Sequence, residues 1–297
     1  MILSEKWAFL IVLSAAILWG TTGTAQTFIP TTVDPFFVSM LRLAIGGIIL
    51  LMVLGLMRKL KFADWPWKKT LLTAAFLAVF QYCFFSSVRL TGVAIGTVLS
   101  IGSAPVFAGL FESFVLKKPP SRKWMMATVL TIAGCAILFF NKELVVFSPL
   151  GAMFAIAAGL LFALYTLNNK RIVEENGALK TVAVVFTISA MMLLPFMFFF
   201  ESNGILTKTG IFSILYIGVV TTAIGYVLYS VGLKNVTSSS ATTIALAEPL
   251  TAAILSVVVV GEYLNASGWF GVFMILIGLV ILSMKQKHKQ AAYELQK

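Results

Sequence analysis

The sequence predicts an all-α integral membrane protein whose ten transmembrane helices form two inverted five-helix repeats. Three observations support this prediction: an apolar composition, a succession of long apolar runs, and opposite charge in equivalent loops of the two halves. Hydrophobic residues make up 60% of the 297 residues and charged residues 11%, with a mean hydropathy of +0.99. A soluble domain carries about 25% charged residues, so this composition indicates a chain that lies in a bilayer.

The basic and metal-ligating residues exclude several other classes. The net charge of +11 comes from short Lys and Arg clusters between apolar runs, which is not the pattern of a nucleic-acid-binding protein. Cys83 and Cys135 each lie in an apolar run without metal-ligand spacing, so we expect buried free thiols. The single histidine, His288, lies in the C-terminal tail. We therefore expect no metal site and no cofactor.

Ten apolar runs are long enough to cross a membrane, which requires about 20 mostly apolar residues. They are 7–28, 36–57, 70–88, 92–115, 124–141, 148–169, 181–200, 209–230, 237–260 and 267–284. The first run begins like a signal peptide, but it continues from Trp7 to Ile29 and nine more runs follow it. We therefore interpret it as the first span.

The loop charges orient these spans, because Lys and Arg favour cytoplasmic loops. With the N-terminus inside, all but four of the 22 Lys and Arg residues fall on the cytoplasmic side. The exceptions are Arg89, Lys142 and Lys208 outside and Arg42 within a span. The pattern predicts a multi-pass protein of the cell membrane with both termini in the cytoplasm.

The two halves of the chain have similar sequences. Val88–Val93 aligns with Val231–Val236, and beyond one inserted residue Pro105 aligns with Pro249. The alignment divides the chain into a first repeat, 1–143, a second repeat, 144–284, and a basic cytoplasmic tail, 285–297. Such repeats are a recurrent property of secondary transporters.

Each repeat contains five spans, an odd number, so the second repeat enters the membrane in the opposite orientation. The loops agree with this inversion. Lys117–Lys123 carries four positive charges, whereas the aligned segment Gly261–Ser267 carries one negative charge. Opposite charge in equivalent loops is expected when those loops lie on opposite sides of a membrane.

In their order along both copies, the short motifs resemble those of the drug/metabolite transporter superfamily, specifically its EamA-like family. The matching pieces are Leu18-Trp19-Gly20, Pro35, Arg42, Gly218–Ala223, Tyr226, Leu233-Lys234, Ala247-Glu248-Pro249, Gly261-Glu262, Gly271 and Gly278. One departure is Lys117-Lys118, where members often have Gly-Glu. The resemblance implies a DMT/EamA-like transporter fold, a central cavity lined by both halves, no ATP site, and amino acids, related metabolites or drugs as substrates.

Glu248 is the main candidate for a functional residue. It lies midway along the ninth span next to Pro249, which removes a backbone hydrogen bond, so we expect this helix to kink or unwind there. The carboxylate could bind an ammonium group or take up a coupling proton; the alternative is a structural Glu that locks helix packing. The aligned pair in the first repeat is Ala104-Pro105. Because only the proline recurs, we assign a site role to Glu248 and a mechanical, gating role to both prolines.

Two other ionisable residues lie within spans, where a charge costs roughly 2.5–3.5 kcal/mol at the helix centre. Arg42 could pair with a substrate carboxylate or with Glu248, or extend outward to the headgroups. Glu112 lies near the cytoplasmic end of the fourth span, where a structural ion pair with Lys117 or Lys118 is the preferred interpretation.

Polar and aromatic residues at mid-membrane complete the candidate cavity. The full set is Trp19, Thr21, Thr22, Gln81, Tyr82, Ser100, Ser103, Tyr165, Asn168, Thr221, Thr222, Tyr226 and Tyr229. From it we select, with Glu248, the substrate-binding candidates Trp19, Tyr82, Ser103, Asn168, Thr222 and Tyr226. Aromatic rings can hold an ammonium group, although an aromatic stripe at helical spacing is also typical of packing. The run Thr237–Thr243 either caps the ninth span or lines an entrance.

These features predict a secondary transporter or exporter of amino acids or related metabolites that works by alternating access. Its partners would be a small-molecule substrate, the bilayer and coupling protons. The alternative within the superfamily is a carrier of drugs or other small solutes. Polyanionic substrates are disfavoured because Arg42 is the single basic residue within the spans. A membrane-embedded enzyme is disfavoured because no span contains Asp or His.

Overall fold

The computed structural model describes residues 4–60, 63–117, 120–140, 148–261 and 263–284. At residues 92–95, 116, 139–140, 256 and 260 it describes the backbone alone. The predicted basic tail, the repeat junction around residue 143 and the charged residues Lys118 and Lys142 lie outside the described residues. Within the described ranges the chain forms helices and no strand.

Ten helices follow one another along the chain. They are α1 (Glu5–Gln26), α2 (Pro35–Leu56), α3 (Trp67–Thr91), α4 (Gly96–Val115), α5 (Arg122–Phe140), α6 (Pro149–Asn176), α7 (Ala178–Phe199), α8 (Lys208–Leu233), α9 (Ser238–Val259) and α10 (Ala266–Ser283). Among the described residues, all except α5 are long and apolar enough to cross a membrane. The 19-residue α5 occupies the predicted fifth span. The all-helical class and the order of the spans are therefore confirmed.

Several helices begin at a capping side chain that precedes them. Asp34 accepts the backbone N–H of Phe36 at 2.8 Å before Pro35 opens α2. In α9, Thr237 accepts the N–H of Ser240 at 3.1 Å. These bonds satisfy N–H groups that the helix itself leaves open, and such groups need internal partners because lipid offers none.

The connection between α3 and α4 differs from the sequence prediction. The backbone is helical from Trp67 to Leu116 without interruption, yet the chain folds back on itself between the two spans. A Cβ at Gly96 would lie 2.9 Å from the backbone nitrogen of Val88, although eight residues of straight helix would span about 12 Å. The reversal therefore lies between Val88 and Gly96, a stretch that includes the predicted loop at 89–91, and it requires glycine at position 96.

The helices pack with an approximate two-fold relation between the repeats. α1 packs against α8 and α9, and its equivalent α6 packs against α3 and α4. The equivalent pairs α2–α7 and α5–α10 contact each other. Exchanging the two repeats reproduces these contacts, as expected for an internally repeated membrane protein.

The ends of the helices lie at two opposite ends of the bundle. At one end, here called the basic end, Ser4–Lys6, Lys170, Lys234 and Met284 surround a common cavity. At the opposite end, the backbone N–H of Asp34 donates to Glu201 O at 2.9 Å.

Gly151, near the start of α6, packs against Leu90 and Thr91. Leu90 is the neighbour of Arg89, which forms an ion pair with Asp34 at the opposite end. The first repeat therefore starts at the basic end and the second starts at the opposite end, which confirms the inverted arrangement.

Polarity in the bundle is reversed relative to a soluble protein. Gln81, Asn169 and Thr222 are fully buried, whereas Phe114 and Phe198 are almost fully exposed. Large exposed apolar side chains occur along most helices. This distribution suits a surface that contacts lipid and an interior that interacts with a polar solute.

Candidate functional site

The ninth span is broken next to Glu248, as the sequence predicts. Helical backbone runs from Ser238 to Ile244 and resumes at Ala247. Pro249 has no N–H with which to bond the carbonyl of Ala245; instead the N–H of Glu248 donates to that carbonyl at 2.9 Å in a tighter turn. Pro105, in contrast, lies inside an uninterrupted α4.

Helix α1 contacts the break at a glycine. A Cβ on Gly20 would lie 2.7 Å from the carbonyl oxygen of Glu248 and 2.5 Å from Cβ of Thr251. The absence of a side chain at Gly20 therefore lets α1 approach the backbone of α9. The residue before this glycine, Trp19, begins an aromatic cluster.

The aromatic cluster joins both repeats. Its members are Trp19 of α1, Phe162 and Tyr165 of α6, Phe186 of α7, and Tyr226 and Tyr229 of α8. The ring centroid of Trp19 lies 4.6 Å from the ring centroid of Tyr226 and 5.1 Å from that of Tyr229. Phe186 lies 4.9 Å from Tyr226. The rings thus form a continuous aromatic surface at the contact between the halves.

Arg42 lies beside this cluster. One turn along α2 on the same face, Gly46 packs against Thr222 and Phe186. The Nη2 of Arg42 donates to Oε1 of Gln81 at 3.2 Å. Gln81 is fully buried, and its hydrogen bond holds the Arg42 guanidinium between α2 and α3.

Arg42 and Glu248 flank the cluster without forming an ion pair. Arg42 is bonded to Gln81 of α3, and the backbone of Glu248 contacts Gly20, the neighbour of Trp19. The ion pairs within 4.0 Å in the described ranges are Lys69–Glu175 and Arg89–Asp34. The site therefore offers a positive and a negative group that remain separate.

Several buried polar atoms near the cluster have no hydrogen-bond partner in the described structure. They are Trp19 Nε1, Arg42 Nε, Gln81 Nε2, Tyr165 Oη and Thr222 Oγ1. Buried polar groups are normally hydrogen-bonded. Their concentration around one aromatic surface identifies a place where a polar solute or water can bond.

The structure brings Trp19, Arg42, Thr222, Tyr226 and Glu248 together, but it does not bring three other predicted residues to the cluster. Tyr82 is 46% exposed, and its ring contacts Phe36 and Phe154. Its buried neighbour Gln81 faces Arg42 instead. Tyr82 therefore lies on a different face of α3 from the one that reaches Arg42.

Ser103 and Asn168 are the other two predicted site residues that lie away from the aromatic cluster. Ser103 packs directly against Gly159 at the contact between α4 and α6, and its hydroxyl donates to Ser100 O at 3.3 Å. The amide of Asn168 donates to Leu164 O in its own helix at 3.0 Å. Both side chains therefore pack or bond locally, away from the aromatic cluster.

Sequence reasoning missed Phe162, Phe186 and Asn169. Asn169 is fully buried, donates to Ser230 Oγ at 3.0 Å and leaves its own Oδ1 without a partner among the described residues. Phe162, Tyr165 and Asn169 are spaced i, i+3 and i+7, so they share one face of α6. Counting this helical spacing from Tyr165 along the sequence would have identified Phe162 and Asn169 as residues on the same face.

Glu112 does not form the expected ion pair with Lys117. Its Oε1 accepts the N–H of Ser238 at 3.1 Å, and its Oε2 accepts the N–H of Ser239 at 3.2 Å. A carboxylate in this position complements the positive end of the helix dipole. Glu112 therefore caps α9 from α4, together with Thr237, and this confirms the capping interpretation of the Thr237–Thr243 run.

A cavity of about 550 Å³, here called the lateral cavity, opens next to the cluster on the side of the opposite end. It is lined by Thr21, Thr24, Ala25, Phe28, Lys208, Thr209, Phe212, Ser213, Tyr216 and Leu255. Thr21 Oγ1 and the Tyr216 hydroxyl are hydrogen-bonded at 2.9 Å. Immediately after Tyr216, α8 becomes a π-helix over Ile217–Ile224.

The chain is similar to known transporters over its whole length. The model of the EamA-like transporter family matches residues 6–140 and again 149–284. The uncharacterized transporter YwfM of Bacillus subtilis (strain 168) is 42% identical over 287 residues, which cover 96% of this chain and 97% of the relative. The threonine/homoserine exporter RhtA of Escherichia coli (strain K12) is 25% identical, covering 87% of this chain and 85% of that protein.

A solved crystal structure has the same fold. It is similar with a TM-score of 0.83 over 99% of this chain and 100% of its own, at 19% sequence identity. These matches point to a transporter rather than an enzyme. The two consecutive family matches coincide with the two repeats of the structure, and the chain belongs to the EamA-like transporter family of the drug/metabolite transporter superfamily.

Proposed function

We propose that the protein is a secondary transporter that moves amino acids or related small metabolites across the cell membrane by alternating access. The main support is that Arg42 and Glu248, two opposite charges that border the aromatic cluster from different helices, form no ion pair with each other among the described residues. An α-amino acid carries the complementary pair, an ammonium and a carboxylate group. A solute with both groups would compensate both partly buried charges at once.

The ammonium group is assigned to the Glu248 side of the site. Among the described residues, no side chain hydrogen-bonds or forms an ion pair with the Glu248 carboxylate. The faces of Trp19 and Tyr226, with centroids 4.6 Å apart, offer cation–π contact close by. Glu248 is also the candidate for taking up a coupling proton, because it is the one carboxylate among the described residues that borders the cluster.

The carboxylate group is assigned to Arg42. Its Nη2 is held by Gln81 at 3.2 Å, while its Nε and the Nε2 of Gln81 have no partner in the described structure. Hydrogen bonds between an arginine and a carboxylate are charge-assisted and among the stronger ones in proteins. Thr222, whose hydroxyl has no partner either, extends this donor set.

The relatives favour the same class and suggest the direction. RhtA is named a threonine/homoserine exporter, so export of small amino acids is the first hypothesis. Both termini are assigned to the cytoplasm because the basic end of the structure contains Lys6, Lys170 and Lys234. The break at Pro249, and Pro105 at the equivalent position of α4, are assigned gating roles in the exchange between the two access states.

A carrier of lipophilic cationic drugs is the second candidate, favoured by the six aromatic rings of the cluster. The two candidates differ in their need for a carboxylate on the substrate. A lipophilic amine without a carboxylate would bind to the rings and Glu248, and it would not need Arg42.

The proposal is tested by a thermal-shift screen of purified protein with amino acids and amines, followed by counterflow in proteoliposomes. We expect at least one amino acid to raise the Tm and to be exchanged, while its decarboxylated amine and its deaminated acid are not. Exchange of the amine at the same rate as the amino acid would support the drug-carrier candidate. Absence of exchange for every compound in the panel would contradict secondary transport of this class.

A further inference from the structure

A second cavity lies at the basic end, away from the aromatic cluster. It has a volume of about 490 Å³ and is bounded by the first residues of α1, by α6, by the α8–α9 connection and by the last residues of α10. Three lysines line it: Lys6, Lys170 and Lys234. They come from separate elements, which the fold brings to one place.

The charge of this cavity is positive. Among the described residues that line it, Glu5 is the one acid. Of the other acids near this end, Glu175 pairs with Lys69 at 3.4 Å and Glu112 accepts N–H groups of α9. Glu174, one turn from Lys170, is exposed and does not line the cavity. An anion entering the cavity would therefore meet more lysine than carboxylate charge.

One lysine is held in place. The Nζ of Lys170 donates to the backbone carbonyl of Val236 in the α8–α9 connection, so the ammonium is fixed at the wall of the cavity. Lys6 and Lys234 are exposed at the rim. The hydroxyl-bearing residues Thr237 and Ser240 add hydrogen-bonding groups between them. Lysine ammonium groups and hydroxyls are common ligands of phosphate oxygens.

The remaining wall is apolar and continues along the helices. Phe9, Ile244 and Leu282 line the cavity on the side toward the middle of the bundle. The chain that follows Met284 begins Lys-Gln-Lys-His-Lys. A basic pocket between helices at the membrane boundary, next to a basic juxtamembrane segment, is a typical binding site for anionic lipid headgroups.

We propose that this cavity binds the phosphate-containing headgroup of an anionic phospholipid, with the acyl chains lying along Phe9 and Leu282. The lipid would bridge α1 of the first repeat with α6 and the α8–α9 connection of the second. Bound lipid would stabilise the conformation in which these elements are close together. The transporter would then depend on anionic lipid independently of its substrate.

The test compares lipids with matched acyl chains. Purified protein in detergent is titrated with phosphatidylglycerol, with phosphatidylcholine and with inorganic phosphate, and binding is followed by native mass spectrometry and Tm. We expect phosphatidylglycerol to bind and raise the Tm more than phosphatidylcholine. Equal effects of the two lipids would overturn the proposal, and so would full protection by inorganic phosphate alone, since a free anion would then be the ligand.

Variants locate the site. Lys170→Gln combined with Lys234→Gln should weaken phosphatidylglycerol binding roughly 25-fold, about fivefold for each lysine near an anionic surface. The control combines Lys59→Gln with Lys68→Gln, two exposed lysines outside the cavity lining, and should leave binding unchanged. The single Lys6→Gln removes a rim charge without touching the Val236 bond and should cost about fivefold. Equal binding by all variants would refute the assignment.

Discussion

At the scale of single residues, the site depends on which side chains are absent as much as on which are present. Gly20 permits α1 to contact the carbonyl of Glu248, and Gly46 permits α2 to contact Thr222. Between these two contacts lie the aromatic cluster and the unpaired donors. Small residues at helix contacts are a general means of close packing in membranes, and here they also determine the distance between the two charges.

Gly20→Val should therefore disrupt the site. The new side chain would meet the backbone carbonyl of Glu248 at 2.7 Å, and backbone cannot move aside as a flexible side chain can. We expect a destabilisation of about 1–3 kcal/mol, measured as a lower Tm in detergent. Gly23→Val is the matched control, because a Cβ there meets nothing within 4 Å. An equal Tm for both variants would contradict the contact.

The aromatic cluster predicts different roles for two residues that the sequence placed together. Trp19→Ala should lower substrate affinity roughly 30-fold, because a cation–π contact in a desolvated site contributes about 2 kcal/mol. Tyr82→Ala should leave affinity within about twofold, since the Tyr82 ring contacts Phe36 and Phe154 instead. Binding is measured by the dependence of Tm on substrate concentration. A larger loss for Tyr82 than for Trp19 would contradict the assigned site.

At the scale of elements, α9 consists of helical segments that are contacted by other helices at its start and at its break. Its start is capped by Glu112 of α4 and by Thr237, and its break is contacted by Gly20 of α1. The sequence predicts the break because a proline inside a helix has a local consequence. The Glu112 cap was not predictable, because a carboxylate near Lys117 is compatible with an ion pair and the acceptor role depends on where α9 begins in space.

Glu112→Ala should leave the first N–H groups of α9 without their acceptor. We expect a loss of about 1–2 kcal/mol of stability, as for other helix caps, visible as a lower Tm. Glu174→Ala removes an exposed acid on α6 and serves as the control with no change expected. If Glu112→Ala and Glu174→Ala have the same Tm, then the cap across the repeats does not contribute to stability.

At the scale of the whole molecule, the span order and the inversion could be predicted, whereas the inward-facing residues could be predicted only in part. Ten apolar runs and opposite loop charges are properties that the bilayer imposes on sequence. A membrane helix is apolar on most faces, so periodicity does not show which face points inward. Asn169 is buried next to the selected Asn168, and Gln81 is buried next to the selected Tyr82; each pair differs by one residue, or about 100° around the helix.

The proposed orientation can be tested with single cysteines in a background in which the buried Cys83 and Cys135 are replaced by alanine. Lys208→Cys lies at the opposite end and Lys234→Cys at the basic end, and both positions are exposed. A membrane-impermeant maleimide added to intact cells should label position 208, and position 234 only after permeabilisation. The reverse pattern would contradict a cytoplasmic basic end.

The most direct test of the central claim is counterflow of the identified amino acid by Arg42→Gln and Glu248→Gln. If the substrate binds between the two charges, each variant should lower exchange at least about tenfold, because each loses a charged hydrogen bond that contributes roughly 1.5–3 kcal/mol. Arg171→Gln and Glu174→Gln, exposed on α6, should exchange normally. Exchange at the normal rate, with unchanged pH dependence, by Glu248→Gln or Arg42→Gln would contradict binding between these charges.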